Sequence, residues 1–489
     1  MSKIYGLIVC VFLVFSGVAQ AQNNVVSGTR ITENTVWSGT VVIEGDVTVV
    51  SSARLDITPG TKILFSPNKD KFRSGSDKTR CELIIEGILM AKGDISNKIT
   101  FSSNSSEPRM GDWYGITILN PKQVSIIEYS VIEYAYNGIT VKKSDPQIRN
   151  SQIRFNFNAG ISAEVKAAPK IYKNILTENG YAGLICNLGA RPILSENLIT
   201  LNQIGVVIFS LSQPNLGSVQ KDSDYNLGQN RIFENTEYEV YNHSNLPIKA
   251  ENNSWGTFTG RNELAVKLYD NNNESKFGPI DVDPFLGANK NLQEFLLLSQ
   301  NTNQTEEKVE PPKTQPAAES VKTEKPSAPV TIPRDVAIKD IANQVKQEDI
   351  SDSGVKDVQN TKTESETASL AVAPEKLTPT APVQEKANVP SINYDQVFLE
   401  PFLDNKKIAL KTYAPQISNK SLGMGANGKV IVRVVVGKNG FVESAQVLKG
   451  LNAYYDKLSI EAAEKFTFKS GTVNGKKVRF STNLFFEFK

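Results

Sequence analysis

Histidine occurs once in this 489-residue sequence, at His243, and cysteine three times. One imidazole with no cysteine beside it gives a zinc or copper centre little to be built from, so no metal site is expected. A Ser-His-Asp triad would have to run through His243, which reads as a surface or loop residue, and no G-x-S-x-G is present. Charge of one sign is not in excess either: Lys+Arg 54 against Asp+Glu 52 leaves +2. That balance lacks the basic footprint of a nucleic-acid binder. Beyond the first twenty residues no apolar run is long enough to cross a bilayer. Of the cysteines, Cys10 lies in the leading apolar run, and Cys81 and Cys186 read as free buried thiols several repeats apart, too far for a disulfide.

The leading segment has a definite form. Met1-Ser2-Lys3 is followed by an apolar run from Ile4 to Val18 and then Ala19-Gln20-Ala21. One positive charge, a short apolar core and an A-x-A ending describe a secretory signal peptide over 1–21, cut before Gln22, with an uncleaved anchor as the alternative. Val9 before Cys10 does not fit a lipoprotein processing site. The expected location is therefore outside the cytoplasm, in the periplasm or cell envelope.

The strongest internal signal is a repeat. Pro146, Pro169 and Pro192 are 23 residues apart, and so are Asn156, Asn179 and Asn202. Aliphatic residues recur with them as Ile148/Ile171/Leu194 and Ile153/Leu176/Ile199. Gly138, Gly160, Gly183 and Gly205 follow at intervals of 22 or 23, each before an aliphatic residue. Such a period indicates a solenoid whose units bury their apolar faces only by stacking. Short β-branched stretches such as Gly160–Val165 favour strands, and the glycines read as the turns between them. Stacking would bring the three asparagines about 4.8 Å apart, where their amides can hydrogen-bond in a ladder. The fold class expected over 22–290 is all-β, a right-handed parallel β-helix. Lys221 to Gln229 interrupts the repeat as an inserted loop.

Gly111-Asp112-Trp113-Tyr114-Gly115-Ile116 and Asn253-Ser254-Trp255-Gly256-Thr257 carry a resemblance to the pectin-lyase-like family of secreted right-handed β-helices. It covers roughly 25–287, with Ile280 to Pro284 resembling the closing segment of the last coil. The resemblance implies a rigid solenoid, and in many members action on acidic polysaccharides.

From Asn301 to Pro390 there is no Phe, Trp, Tyr, Cys or Met. A stretch so poor in apolar side chains cannot offset its ordering entropy, so 291–390 is expected to be a disordered Pro/Lys/Glu/Thr-rich tether. Its root-mean-square span as a flexible chain would be about 50 Å. Order is expected to return at 391–489 as a small α+β domain. Lys429–Val436 and Phe441–Leu448 read as strands about a Lys438-Asn439-Gly440 hairpin turn. Lys457–Phe468 reads as a helix, and Lys477–Phe488 as a last strand after Asn474-Gly475. Tyr413, Pro415, Gly428–Val432, Asn439–Val442, Leu458, Glu461–Ala463 and Phe466–Phe468 together resemble the TonB C-terminal domain, with Ala414, Ser459 and Ser470 as departures from its usual pattern. The resemblance implies docking of a short peptide of an outer-membrane partner by strand addition. On the last strand, Phe480, Leu484, Phe486 and Phe488 share one face by alternation and read as core. Arg479, Phe485 and Glu487 read as the outward, partner-binding row.

Candidate chemistry is sparse. Gly423-Met424-Gly425-Ala426-Asn427-Gly428-Lys429 fits G-x-G-x-x-G, but it leads into a strand, whereas phosphate cradles open a helix, so no nucleotide and no cofactor are expected. Acid pairs remain: Glu128 with Glu133, near Lys142, Arg149 or Arg154, then Asp222 with Asp224 and Asp281 with Asp283. Hydrolysis needs two carboxyls about 5 to 9.5 Å apart. Solvated surface explains each pair equally well, and Glu128 and Glu133 stand as weak catalytic candidates. Tyr134 and Phe155 read either as sugar-stacking rings or as core. The leading expectation is an envelope interaction protein. It offers a glycan- or protein-binding face on the solenoid and an envelope docking module at its end. The alternatives are an exported polysaccharide lyase or hydrolase, and a TonB-like energy transducer for outer-membrane transport.

Overall fold

The computed structural model describes residues 24–119, 123–287, 292–300, 392–405, 407–415 and 427–488. The segment 1–21 read as a signal peptide and the stretch 301–390 read as a tether lie outside the described residues. Among these residues, short strands stack into two parallel sheets, one of seventeen strands and one of ten. The larger wraps two sides of the solenoid, because the long Thr40–Val49 strand pairs through Thr40–Ile43 with Lys62–Phe65 and through Val47–Val49 with Glu82–Ile85. The aliphatic columns of the repeat stack in register: Ile148 on Ile171 on Leu194, and Ile153 on Leu176 on Ile199. All six are wholly buried, together with Ile139, Ile161, Leu184 and Val206. Each inward residue thus covers the one on the coil before it, and the core is a continuous stack.

The bends just before the inward asparagines are built from residues other than glycine. Tyr134, Phe155, Glu178, Leu201 and Glu234 each take a left-handed conformation, φ between 53° and 64°, and each directly precedes a residue that turns inward. Gly138, Gly160, Gly183 and Gly205, read from sequence as turn residues, lie instead inside the strands Asn137–Lys142, Ala159–Glu164, Ala182–Cys186 and Ile204–Ile208. Their role is steric. A Cβ on Gly160 would sit 2.8 Å from the Gly183 carbonyl oxygen and 3.0 Å from the Asn179 amide. Only a hydrogen leaves room for the asparagines beside them.

Those asparagines pass hydrogen bonds from coil to coil. Asn156 Nδ2 donates to Asn179 Oδ1 at 2.9 Å, Asn179 Nδ2 to Asn202 Oδ1 at 3.0 Å, and Asn202 Nδ2 to Asn235 Oδ1 at 3.0 Å. Each Oδ1 also accepts the backbone N–H of the preceding asparagine. A second ladder runs Asn174, Asn197, Asn230, Asn253 with steps of 3.1, 2.9 and 2.9 Å. Both ladders step by 33 residues across the inserted loop, where Ser218 and Asn226 bridge its base. Cys81 and Cys186 are free and buried, and burial pushes the Cys81 thiol up to about 12. After the last coil Gln293–Ser299 forms a helix, inside the stretch that composition assigned to the tether.

In the C-terminal module the strands run Val397–Leu399, Lys476–Phe488, Gly428–Val436, Val442–Lys449 across the sheet. The helix is Ala453–Ala463, four residues earlier than its pattern suggested, because the Asn452 side chain caps it by accepting from the Tyr454 and Tyr455 amides. Thr467–Phe468 is a strand instead of the helix end. Phe480, Leu484, Phe486 and Phe488 are buried under this helix and sheet. Among the described residues no helix is long and apolar enough to cross a membrane.

Candidate binding surfaces

The two acids weighed for catalysis are each held by an arginine from the next coil. Glu128 Oε2 lies 2.8 Å from Arg149 Nη2, and Arg149 also reaches the Tyr172 hydroxyl at 2.6 Å. Glu133 Oε2 lies 2.8 Å from Arg154 Nε, while its other oxygen accepts from Ser102 at 3.0 Å. Glu128 ends the strand Ile126–Glu128 of the ten-stranded sheet, and Glu133 ends Ser130–Glu133 of the larger one. The bend at Tyr129 separates them. Asp224 pairs with Lys249 at 3.2 Å, and Asp222 and Asp281 each accept a backbone amide of their own turn. No group of three or more potential metal-binding side chains occurs among the described residues.

Rings, in contrast, gather on the outer surface of the last coils. Tyr241 and Tyr269 are register partners and stack at 4.5 Å between centroids. Tyr238 meets both, at 5.7 and 5.6 Å. His243 stacks on Tyr241 at 5.8 Å and lies 4.3 Å from Phe277. Partial desolvation among these rings and the nearby Lys276 lower the histidine pKa below its ordinary value. On the preceding coils the same outward columns carry Ala182, Ile185, Ile204 and Val207, which pack against Tyr238 and Tyr241. The three tyrosines remain half-buried and His243 exposed, so the rings form a platform open to solvent. The sequence carries no periodic signal for it, since these rings come from coils of unequal length.

On the C-terminal module, Phe485 is 50% exposed, Glu487 is exposed, and Arg479 Nε lies 2.7 Å from Glu443. The centre of that same row is covered. Ser481 is buried, and Asn483 and its register partner Arg433 face Glu178 of the solenoid. The last strand is not the end of its sheet: Val397–Leu399 runs parallel along Arg479–Ser481. From Thr482 to Phe488 no further strand pairs with it on that side among the described residues. Tyr134 and Phe155, the other candidate rings, are buried at 6% and 0% exposure against Ile431 and Leu448 of the module.

No curated protein and no solved structure matches the chain. Two family models do. Residues 86–255 match the right handed beta helix region, and residues 414–489 match the Gram-negative bacterial TonB protein C-terminal, so the chain joins a β-helix to a TonB-like module of the Gram-negative envelope.

Proposed function

We propose that this is an exported binding protein of the cell envelope, in which the β-helix holds a glycan and the C-terminal module docks an envelope protein by strand addition. The observation that carries this reading is the contrast on the solenoid surface: the candidate acids are neutralised by arginines, whereas Tyr238, Tyr241, His243 and Tyr269 form an open ring platform. Stacked on one another, the rings turn their edges and polar tips outward, a mixed apolar and hydroxylated surface that suits the C–H and hydroxyl groups of a sugar. The TonB-like match supports protein interaction in the envelope, and the unpaired side of Thr482–Phe488 supports the strand-addition mode. Export rests on the signal-peptide pattern of residues 1–21.

Glycan-array binding of the full mature chain tests the reading. Tyr241→Ala and Tyr269→Ala should each lower apparent affinity about tenfold, the equivalent of one lost ring contact and a disrupted stack. Unchanged binding by both variants removes the platform from the site. Depolymerisation of an acidic polysaccharide that is abolished by Glu133→Gln would replace the binding reading with an enzymatic one.

A further inference from the structure

The β-helix and the C-terminal module pack into one compact unit, although 301–390 separates them in the chain. Three kinds of contact join them. The first runs along the exposed edge of the Val442–Lys449 strand: Met110 N donates to the Leu448 carbonyl at 3.1 Å, and Gln446 Nε2 donates to the Pro108 carbonyl at 2.8 Å. Arg109 lies 3.2 Å from Asp456 beside them. The second is apolar, with Met110, Tyr134 and Phe155 of the solenoid against Ile431 and Leu448 of the module. The third is cationic. The Arg433 guanidinium lies 4.6 Å over the Phe155 ring and faces buried Glu178, and Lys449 lies 4.5 Å over Phe157.

These contacts imitate a bound peptide. Residues 108–110 lie along a sheet edge, share a backbone hydrogen bond with it, and place one apolar side chain beside the strand. The fit is incomplete, however. Both oxygens of Glu178, Arg433 Nε and Asn483 Oδ1 are buried without a well-formed hydrogen bond. Asn483 lies beside Glu178 without closing one. Buried polar atoms left so weigh against a contact that merely extends the core.

We propose that the β-helix is a partner of the C-terminal module in cis. The 108–110 segment and the bend column Tyr134, Phe155, Glu178 occupy the module's outer face and its Val442–Lys449 edge. An extended peptide of another protein reaches that edge only once the module has come off. This inference rests on reading the module as a strand-adding dock, and it takes the Val442–Lys449 strand as a docking edge besides the open side of Thr482–Phe488. The competing peptide would carry an apolar residue in the place of Met110 and an acidic one near Arg433.

The test needs no partner, so its failure is distinct from failure of the docking reading. In the full mature chain, Pro108→Cys with Gln446→Cys is treated with a short bis-maleimide, Cys81 and Cys186 being buried. The product should be a link within one chain. Adding Arg433→Glu, which sets a carboxylate against Glu178, should lower its yield about tenfold while the β-helix melting temperature stays unchanged. Amides of 442–449 should also exchange about tenfold faster in the Arg433→Glu chain than in the cross-linked one. Links joining two chains, a yield insensitive to Arg433→Glu, or equal exchange at 442–449 in both would each overturn the proposal.

Discussion

The inner ladders of the solenoid and its contact with the C-terminal module both bury polar side chains, yet they treat them in opposite ways. Along Asn156, Asn179 and Asn202 every side-chain amide finds an acceptor one coil on, so the polar groups cost little and fix the register of stacking. At the module contact Glu178 is as deeply covered and Arg433 and Asn483 are half-buried, yet both Glu178 oxygens, Arg433 Nε and Asn483 Oδ1 close no well-formed bond. Coil-to-coil stacking is what a single continuous core looks like. The other arrangement is that of two surfaces which can part, and the difference teaches that burial alone does not distinguish a permanent contact from a reversible one.

The largest test breaks the satisfied side of the comparison. Asn179→Ala takes away the acceptor of Asn156 Nδ2 and N and the donor to Asn202, leaving several buried groups unpaired. A loss of about 4 kcal/mol is expected, from two or more unsatisfied groups at about 1–3 kcal/mol each, read as a lower denaturation midpoint of the β-helix. Next comes the end of that ladder, where the amide chain meets a carboxyl. Asn235 Nδ2 donates to Glu239 Oε2 at 2.5 Å, and burial, against the pull of the Asn235 amide and Lys267, pushes Glu239 up to about 7. A carboxyl whose pKa is raised on folding favours the folded state fully below its unfolded value of 4.5, and this contribution is lost as pH rises through about 7. Glu239→Gln keeps the hydrogen bond without the charge. It should leave stability at pH 4 nearly unchanged and raise it by about 3 kcal/mol at pH 8, measured by chemical denaturation at both pH values.

The same contrast explains what was legible in the sequence. The stacked core was legible because identical residues recur at one interval, and Asn156, Asn179 and Asn202 announce it directly. The second ladder was less so: Asn174 and Asn197, like Asn230 and Asn253, keep the 23-residue step, but the inserted loop stretches the middle step to 33. The glycines misled because glycine signals conformational freedom, whereas here its missing Cβ is what the neighbouring coil requires. The bends fell to Phe155, Glu178 and Leu201, whose identities carry no turn signature. For the surfaces, the arginines expected near Glu128 and Glu133 are there, paired one to one. The ring platform and the covering of the Ser481–Asn483 row depend on elements with no common period, so nothing in the sequence joins them.

The smallest test sharpens the unsatisfied side. Glu178 is wholly buried at the contact, with Arg433, Glu400 and Asn483 facing it from the module and Arg154 from the neighbouring coil. Burial pushes its carboxyl up to about 6, because Arg433 and Arg154 offset only part of the loss of solvation. If the module lifts away, the group returns toward its ordinary 4.5. The closed state then binds the proton more tightly, so closure is strongest below about pH 4.5 and weakens as pH rises through about 6. The full effect is about 2 kcal/mol, or about thirtyfold in the closing equilibrium. The rate of cross-linking between positions 108 and 446, normalised to the thiolate fraction at each pH, should therefore fall from pH 5 to pH 8 in the native background and stay level in Glu178→Gln. A pH response that survives this substitution would assign the titration to another group and leave Glu178 as a passive part of the contact.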